Sequence, residues 1–221
     1  MKLYRVVFIL LISLIVCIIP YKSVNADEEK DYKAIILIDA GHGGADGGAR
    51  SKNGTIEKEI NLAISKKLQE RLNKEGYKVY MTREEDNELD KRKVSDLDLR
   101  CKMKKDTNCD VFISIHQNKF DSERCFGAQV WYADNEKSNT IADFIQDSLK
   151  EKTEDNNKRV AKAAKKHYRI LRDGYDGACV IVECGFLSNY DEEERLKTDE
   201  HQLKIVDGIV CGVNRYFEEI K

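Results

Sequence analysis

Two histidines and two glutamates of this chain, His42, Glu57, His116 and Glu183, are of the types that perform metal-assisted hydrolysis. His42 lies in a glycine-rich stretch, and Glu57 closes that stretch where a helix is predicted to begin. His116 and Glu183 each follow a short apolar run of the kind that forms a buried strand. Two imidazoles and one carboxylate can hold a zinc ion with one position open, and the remaining carboxylate can act as a base. The residue types therefore predict the active site of a hydrolase.

Three predicted strands, residues 33–38, 111–115 and 179–183, position these side chains. The first strand leads into the glycine-rich loop, and the other two end at or next to His116 and Glu183. Ligands of open α/β sheets gather outside the carboxyl ends of the strands, so we expect the four side chains at one edge. Five glycines within residues 41–48 predict a loop whose backbone passes close to another group.

Strands and helices alternate along the chain. Further strands are predicted over residues 78–82, 128–132 and 168–172, and helices after Glu57, around 97–104, and over 139–150, 191–196 and 201–220. This order predicts an α/β fold in one domain, with a mostly parallel (mixed) six-stranded sheet and helices on both faces. The charged segment 84–96 is predicted to flank the site, and 151–166 to be a mobile or exposed connection.

Residues 1–26 are interpreted as a signal peptide or an N-terminal membrane anchor, followed by a catalytic domain over residues 27–221. Lys2 and Arg5 precede an apolar run, residues 6–19, that is short for a bilayer span and typical of a secretory signal. Val24 and Ala26 give a small-residue cleavage pattern. The rest of the chain has 195 residues, enough for one well-buried α/β domain and too few for two ordinary ones.

Charge gives no indication of a nucleic-acid partner. The first 26 residues contain three basic side chains and no acidic one, so their removal changes the formal charge from −2 to −5. Acids and bases are interspersed in the remaining sequence rather than collected in a basic patch.

Six short motifs occur in an order and spacing that resemble a known family. They are DAGHGG at 39–44, EK at 57–58, NL at 61–62, TR at 82–83, SIHQN at 114–118, and VECGF at 182–186 followed by SN at 188–189. Together they resemble the zinc-dependent N-acetylmuramoyl-L-alanine amidases of the Amidase_3 type, over nearly all of residues 27–221. Each motif alone is weakly specific, whereas six in register are strongly specific.

The resemblance implies that His42, Glu57 and His116 hold one zinc ion and that Glu183 is the catalytic carboxylate. The spacing of the EK motif selects Glu57 rather than Glu59 as the ligand. The resemblance also implies that the substrate is peptidoglycan, and that the bond cut joins N-acetylmuramic acid to L-alanine of the stem peptide.

Four other residues are expected to support or line the site. Asp39 is expected to orient a ligand or satisfy the loop rather than bind the metal. Asn118 and Arg83 are candidate substrate contacts, with loop hydrogen bonding or a surface ion pair as the alternative. The family usually has HAN where this chain has HQN, so Gln117 predicts a more polar pocket wall beside His116.

Size, the export segment and the absence of wall-binding repeats resemble the sporulation subgroup of CwlD type. That subgroup works on spore cortex and prepares muramic acid for lactam formation. The resemblance implies export across the cytoplasmic membrane, to a secreted or membrane-anchored location at the cell wall or spore cortex. It leaves open an activating or accessory protein partner, such as a lipoprotein. The alternative functions are a zinc peptidoglycan hydrolase of carboxypeptidase type and a non-catalytic wall-assembly protein.

Overall fold

The predicted site residues lie on and beside one sheet of six strands. The computed structural model describes residues 31–153 and 156–221. The strands are β1 (Ile35–Ala40), β2 (Lys78–Met81), β3 (Val111–Asn118), β4 (Gln129–Tyr132), β5 (Lys162–Ala163) and β6 (Ala178–Phe186). Their order in the sheet is β2-β1-β3-β6-β4-β5. Strands β2, β1, β3 and β6 run parallel, whereas β4 is antiparallel to β6 and parallel to β5. The predicted mixed, mostly parallel sheet is confirmed.

Helices cover both faces of this sheet. They are α1 (Glu57–Lys74), α2 (Lys93–Thr107), α3 (Glu136–Thr153), α4 (Tyr190–Leu196) and α5 (Asp199–Glu219). Helices α1, α3 and α5 share one apolar core with alternate residues of β1, β3 and β6. The intervening residues of these strands pack against α2 on the other face. Residues from Tyr32 onward form one compact unit, so the single α/β domain is confirmed.

Helix α1 shows how the sequence fixes one site residue. Apolar side chains recur at helical spacing from Ile60 to Leu72 and are buried, so this face is held against the sheet. The helix begins at Glu57, where the positive end of the helix dipole favours an anion. Gly76, with a φ of 89°, follows its end. The carboxylate of Glu57 is therefore carried by the first turn of a well-anchored helix.

Two predictions for the region before β6 are wrong. Residues 168–172 do not form a strand, because Arg169–Leu171 is a 3-10 turn. Ile170 and Leu171 are both buried in the apolar cluster on the α2 face of the sheet, so their apolar character reflects a packed turn as well as it would a strand. The fifth strand is β5, inside the segment 151–166 that was predicted to be mobile or exposed. Its hydrogen-bonded register with β4 stabilises it, and apolar periodicity cannot reveal that contact.

Strands β3 and β6 are longer than predicted. They continue to Asn118 and Phe186, so His116 and Glu183 lie inside strands rather than at their ends. The added residues Gln117 and Phe186 are buried, and the two backbones remain paired past a register shift after His116. The extension places His116 and Glu183 directly opposite each other.

Within residues 31–153 and 156–221, no helix has the length and apolar character needed to cross a membrane. The predicted export segment, residues 1–26, lies outside the described residues. The domain boundary at residue 27 therefore stays a prediction.

Candidate active site

His42, Glu57 and His116 converge although they are far apart in sequence. The Nδ1 atom of His116 lies 2.8 Å from Oε1 of Glu57, and Nε2 of His42 lies 3.3 Å from Oε2 of the same carboxylate. The two imidazole rings meet edge to face with centroids 4.9 Å apart. One ligand atom from each residue lies within 4.8 Å of the other two. This is the cluster that the sequence predicts as a metal site.

The glycine-rich loop brings His42 to the cluster through unusual backbone geometry. His42 has a φ of 61°, and Gly43 and Gly44 also have positive φ. A left-handed φ is strained for a residue with a side chain, so contacts elsewhere must hold it. Arg100 supplies one such contact, because its Nη2 atom donates to the carbonyl of His42 at 3.0 Å.

Two glycines leave the space that the imidazoles occupy. A Cβ atom on Gly41 would lie 2.3 Å from Nε2 of His116. A Cβ atom on Gly48 would lie 2.5 Å from Oε2 of Glu57 and 2.8 Å from Nε2 of His42. Nε2 of His116 therefore packs on the loop backbone, and Nδ1 is the nitrogen that faces the carboxylate.

The carboxylate of Glu57 is held by several donors. It accepts hydrogen bonds from the backbone N–H groups of Ala49 at 2.7 Å and Gln117 at 3.1 Å, and from Nδ2 of Asn61 at 3.2 Å. Burial alone would raise the pKa of Glu57, but its hydrogen bonds with His116 and His42 hold that pKa well below the usual value. Glu57 is thus ionised and held in place, so its oxygen atoms are suited to bind a metal ion.

His116 responds to the same carboxylate. Burial alone would lower the pKa of His116, but the hydrogen bond and the charge of Glu57 raise it to about 9. The negative charge of Glu57 thus makes this cluster favourable for a positive charge. Imidazole nitrogens and one carboxylate are also a donor set that zinc prefers, so these residues fit a zinc ion.

Glu183 differs from Glu57 in its surroundings. It lies opposite His116 in the strand register but does not belong to the group of three that can share one ion. Its Oε2 atom is buried without a hydrogen-bond partner among the described residues. Burial raises the pKa of Glu183 to about 7, and the charge of His116 opposes this only in part. A carboxyl group with such a pKa can both accept and release a proton near neutral pH.

Asp46 is a site residue that the sequence reasoning missed. Its Oδ2 atom lies 2.9 Å from Nδ1 of His42, on the side of the ring away from Glu57. The same oxygen accepts from Nζ of Lys93 at 2.9 Å. A carboxylate on the outer nitrogen of a ligating histidine fixes the tautomer and the ring orientation. The only signal in the sequence is the spacing of four residues between His42 and Asp46 within the glycine-rich loop.

Asp39 acts on the loop through Arg100. Its carboxylate accepts from Nη1 of Arg100 at 2.6 Å, Oγ1 of Thr82 at 2.8 Å and Oγ of Ser114 at 2.6 Å. Burial alone would raise the pKa of Asp39, but Arg100 and these hydrogen bonds lower it to about 2. Of the two roles expected from the sequence, orienting a ligand and satisfying the loop, these contacts favour the second, because they join Asp39 to Arg100, Thr82 and Ser114.

The contacts of Arg83 favour the structural alternative as well. Its side chain is buried, and its donors reach the carbonyl groups of Ala40, Gly41, Lys58 and Glu85. These bonds are the loop hydrogen bonding that the sequence analysis gave as the alternative role. They engage the Arg83 side chain with the backbone rather than leaving it free for substrate.

Residues 117 and 118 differ in burial and in the face of β3 that they occupy. The prediction that Gln117 makes the pocket wall more polar is wrong, because its side chain is buried and donates to Asn61 on α1. Neighbouring residues of a strand point to opposite faces, and His116 takes the face toward the site. Asn118 is partly exposed at the end of β3, and its contact with substrate stays a prediction.

The charged segment 84–96 flanks the site as predicted. It lines a cleft beside the imidazoles, where Lys93 and Asp96 face His42 and His116. Its carboxylates also hold the glycine-rich loop: Asp86 accepts from the N–H of Gly44 at 2.9 Å.

The comparisons with known proteins agree with this geometry. A family model described as N-acetylmuramoyl-L-alanine amidase (Amidase_3) matches residues 36–215. The chain belongs to the N-acetylmuramoyl-L-alanine amidase family. It is 33% identical to the germination-specific N-acetylmuramoyl-L-alanine amidase of Bacillus subtilis, over 99% of this chain and 96% of that relative. It is also 33% identical to the probable cell wall amidase LytH of Staphylococcus epidermidis, over 82% of this chain, and spans 58% of that protein.

Solved amidase structures share the fold. The CwlD amidase from Clostridioides difficile, solved in complex with the GerS lipoprotein, superimposes with a TM-score of 0.79 and 35% identity, over 84% of this chain and 99% of that one. An N-acetylmuramoyl-L-alanine amidase from Clostridium difficile 630 gives a TM-score of 0.76 at 27% identity, over 87% of this chain. The predicted amidase family and its likeness to the CwlD type are confirmed.

Proposed function

We propose that this amidase is zinc-dependent and hydrolyses the amide bond between N-acetylmuramic acid and L-alanine of the peptidoglycan stem peptide. The observation that carries the proposal is the cluster of His42, Glu57 and His116, whose ligand atoms lie within 4.8 Å of one another, with Glu183 beside it. The three clustered residues would hold the ion. Bound zinc would supply a Lewis acid that polarises a carbonyl group and makes water more acidic.

Glu183 is the group that moves the proton. In the proposed reaction it accepts a proton from the attacking water, whose oxygen forms a bond to the carbonyl carbon. It then gives this proton to the nitrogen of L-alanine as the carbon–nitrogen bond breaks, so that a carboxylic acid and a free amine result. An unpartnered buried oxygen and a pKa of about 7 suit both steps.

The remaining residues keep these groups in place. Asp46 orients His42, whereas Ala49, Gln117 and Asn61 hold the carboxylate of Glu57. A prearranged set of ligands reduces the rearrangement that the reaction would otherwise require.

We further propose that the substrate is spore cortex peptidoglycan and that the product serves muramic-lactam formation. The support is the similarity over 99% of the chain to a relative described as germination-specific. Export through residues 1–26 would bring the enzyme to this substrate. A lipoprotein partner is the corresponding proposal for control, because the similar CwlD amidase was solved with the GerS lipoprotein.

Mass spectrometry of muropeptides tests the proposed reaction. Purified cortex and vegetative peptidoglycan would be incubated with zinc-loaded protein and, in parallel, with the Glu183→Gln variant. The proposal expects intact stem peptides and bare muramic acid from the parent protein, and neither product from the variant. Shortened peptides still attached to muramic acid would instead indicate a carboxypeptidase. Equal inactivity of both proteins on every peptidoglycan would favour a wall-assembly role.

A further inference from the structure

A chain of two buried amides leads from strand β3 to the carboxylate of Glu57. Nε2 of Gln117 donates to Oδ1 of Asn61 at 3.1 Å. Nδ2 of Asn61 then donates to Oε1 of Glu57 at 3.2 Å and to the carbonyl of Gly41 at 3.1 Å. Gln117, Asn61 and Glu57 are all buried. The chain therefore connects the sheet, the first turns of α1 and the glycine-rich loop.

Gln117 completes the hydrogen bonding of the Asn61 amide. An Asn side chain has one end that accepts and one end that donates, and the two have nearly the same shape. Asn61 faces two acceptors, Glu57 and Gly41, on one side, and the amide nitrogen of Gln117 on the other. If its amide were turned over, the oxygen of Asn61 would face both acceptors. The two acceptors therefore disfavour this alternative, and the donor of Gln117 satisfies the oxygen of Asn61 on the other side.

The side chain of Gln117 is only partly satisfied. Its Oε1 atom is buried without a hydrogen-bond partner among the described residues, although the side chain also contacts the thiol of Cys184. Burying an amide oxygen in this way lowers stability. The hydrogen bond to Asn61 is thus the main polar contact of a side chain whose burial is otherwise costly.

We propose that Gln117 is a positioning residue for the proposed zinc ligand Glu57 and acts through Asn61. By donating to Oδ1 of Asn61, it holds that side chain where Nδ2 of Asn61 donates to Oε1 of Glu57, and so keeps the carboxylate in its ligating position. This inference rests on the proposed role of Glu57 as a metal ligand.

A double-mutant cycle on zinc affinity tests the inference. Gln117→Met keeps the side-chain volume and the backbone N–H that also contacts Glu57, and removes only the amide. Substituting a direct partner of a metal ligand costs about 10- to 100-fold in affinity. We therefore expect a loss in that range for Asn61→Ala and, one residue further away, about 3- to 10-fold for Gln117→Met. The double variant should bind zinc no more weakly than Asn61→Ala alone, because both changes break one chain.

The matched control is Gln146→Met, which removes another buried amide. Gln146 bonds to the backbone of Val130 and Ala128 and makes no hydrogen bond to Glu57 or Asn61. It should lower the melting temperature of the metal-free protein and leave zinc affinity within about two-fold of the parent, as expected for independent sites.

The outcomes separate the inference from the proposed function. Unchanged zinc affinity in Gln117→Met, or losses that multiply in the double variant, would overturn the inference. A change in the melting temperature alone would do the same, since it would show a purely structural role. The metal assignment itself fails if the parent binds no zinc, or if His42→Ala binds zinc as tightly as the parent. In either case the role of Gln117 fails with it.

Discussion

The two halves of the candidate site are held by different forces. His116 and Glu183, the strand half, lie opposite each other on neighbouring buried strands. His42 and Glu57 belong to the loop half, residues 41–57, whose backbone includes a φ of 61° at His42. The strand half depends on backbone pairing and apolar burial. In the loop half, helix α1 anchors Glu57, whereas the backbone around His42 depends on buried and surface charges that contact it from other elements.

This difference suggests separate sensitivities. A strand position is fixed by many small contacts, so a single polar substitution nearby should shift it little. The loop half relies on a few strong polar contacts, such as Arg100 on the carbonyl of His42. Removing one of them should therefore change the loop half first. Substitutions in the two halves test whether their sensitivities differ in this way.

The largest effect is expected from Asp39→Asn, which leaves Arg100 buried without one of its two carboxylate partners. Breaking a buried pair costs about 3 to 5 kcal/mol, and we expect the lower end because Asp96 still contacts Arg100. Chemical denaturation of the metal-free protein would measure this loss. The control Asp98→Asn removes an exposed ion pair with Arg169 and should change the free energy of unfolding by less than about 1 kcal/mol. Similar small losses in both variants would contradict the account.

Acid titration sharpens the same prediction. The pKa of Asp39 is lowered from 3.8 to about 2 in the folded chain, so its ionised form stabilises the fold. This contribution is fully present above about pH 4 and is lost as the pH falls toward 2. The difference in unfolding free energy between the parent and Asp39→Asn should therefore shrink across this range. A difference that grows on acidification would be the wrong sign.

The next effect is expected at Gly41, where the loop touches the strand half. A methyl group in Gly41→Ala would collide with the His116 imidazole, since Nε2 lies 2.3 Å from the position of that Cβ. Displacing a reacting or ligating group by about 1 Å can cost about 100-fold in rate. The loss of hydrolysis would be compared with Gly47→Ala, whose Cβ has Ile56 as its one near neighbour, at 3.2 Å. Equal activities would show that the imidazole is not confined by the loop.

A smaller effect is expected from Asp46→Asn, which weakens the hold on His42. Losing a carboxylate partner of a ligating histidine costs about 10- to 100-fold in metal affinity. Competition with a chelator would measure it. Lys93→Met is the control, because Lys93 shares the same Asp46 oxygen but does not touch His42. If both variants lost the same affinity, Asp46 would act by tying the loop to α2 rather than by orienting the imidazole.

The smallest effect is expected from Asp86→Ala at the outside of the loop. Asp86 is exposed and contacts Lys58 and the N–H of Gly44. Exposed pairs contribute about 0 to 1 kcal/mol and are weakened by salt. The loss in unfolding free energy should stay below about 1 kcal/mol and diminish in high salt. A loss above about 2 kcal/mol would show that surface charges, rather than the buried pair, hold the loop.

Sequence reasoning predicted the strand half well. Apolar runs that end near His116 and Glu183, together with the rule for carboxyl ends of strands, place both residues at one edge. The strand lengths were wrong, because residues such as Gln117 continue a strand without being apolar. Residues 168–172 were misassigned because two adjacent apolar residues, Ile170 and Leu171, are buried by a short 3-10 turn, and so short an apolar run does not distinguish a turn from a strand.

The loop half was predicted only in its chemistry. Residue types and motifs identify His42 and Glu57, but the sequence reasoning singled out neither Asp46 nor Arg100 as a support. Their contacts depend on the left-handed backbone at His42 and on the packing of α2, which bring residues 58 positions apart together. Local patterns do not encode such long-range polar contacts, and they placed Gln117 on the wrong face.

The division of roles between the two glutamates is tested most directly by measuring zinc content and amidase activity in the same samples. We predict that Glu183→Gln keeps its zinc and loses hydrolysis by about 100-fold or more, the range of general acid–base catalysis. Glu57→Gln should lose the zinc together with the activity. Loss of zinc from Glu183→Gln, or parental activity in that variant, would contradict the account.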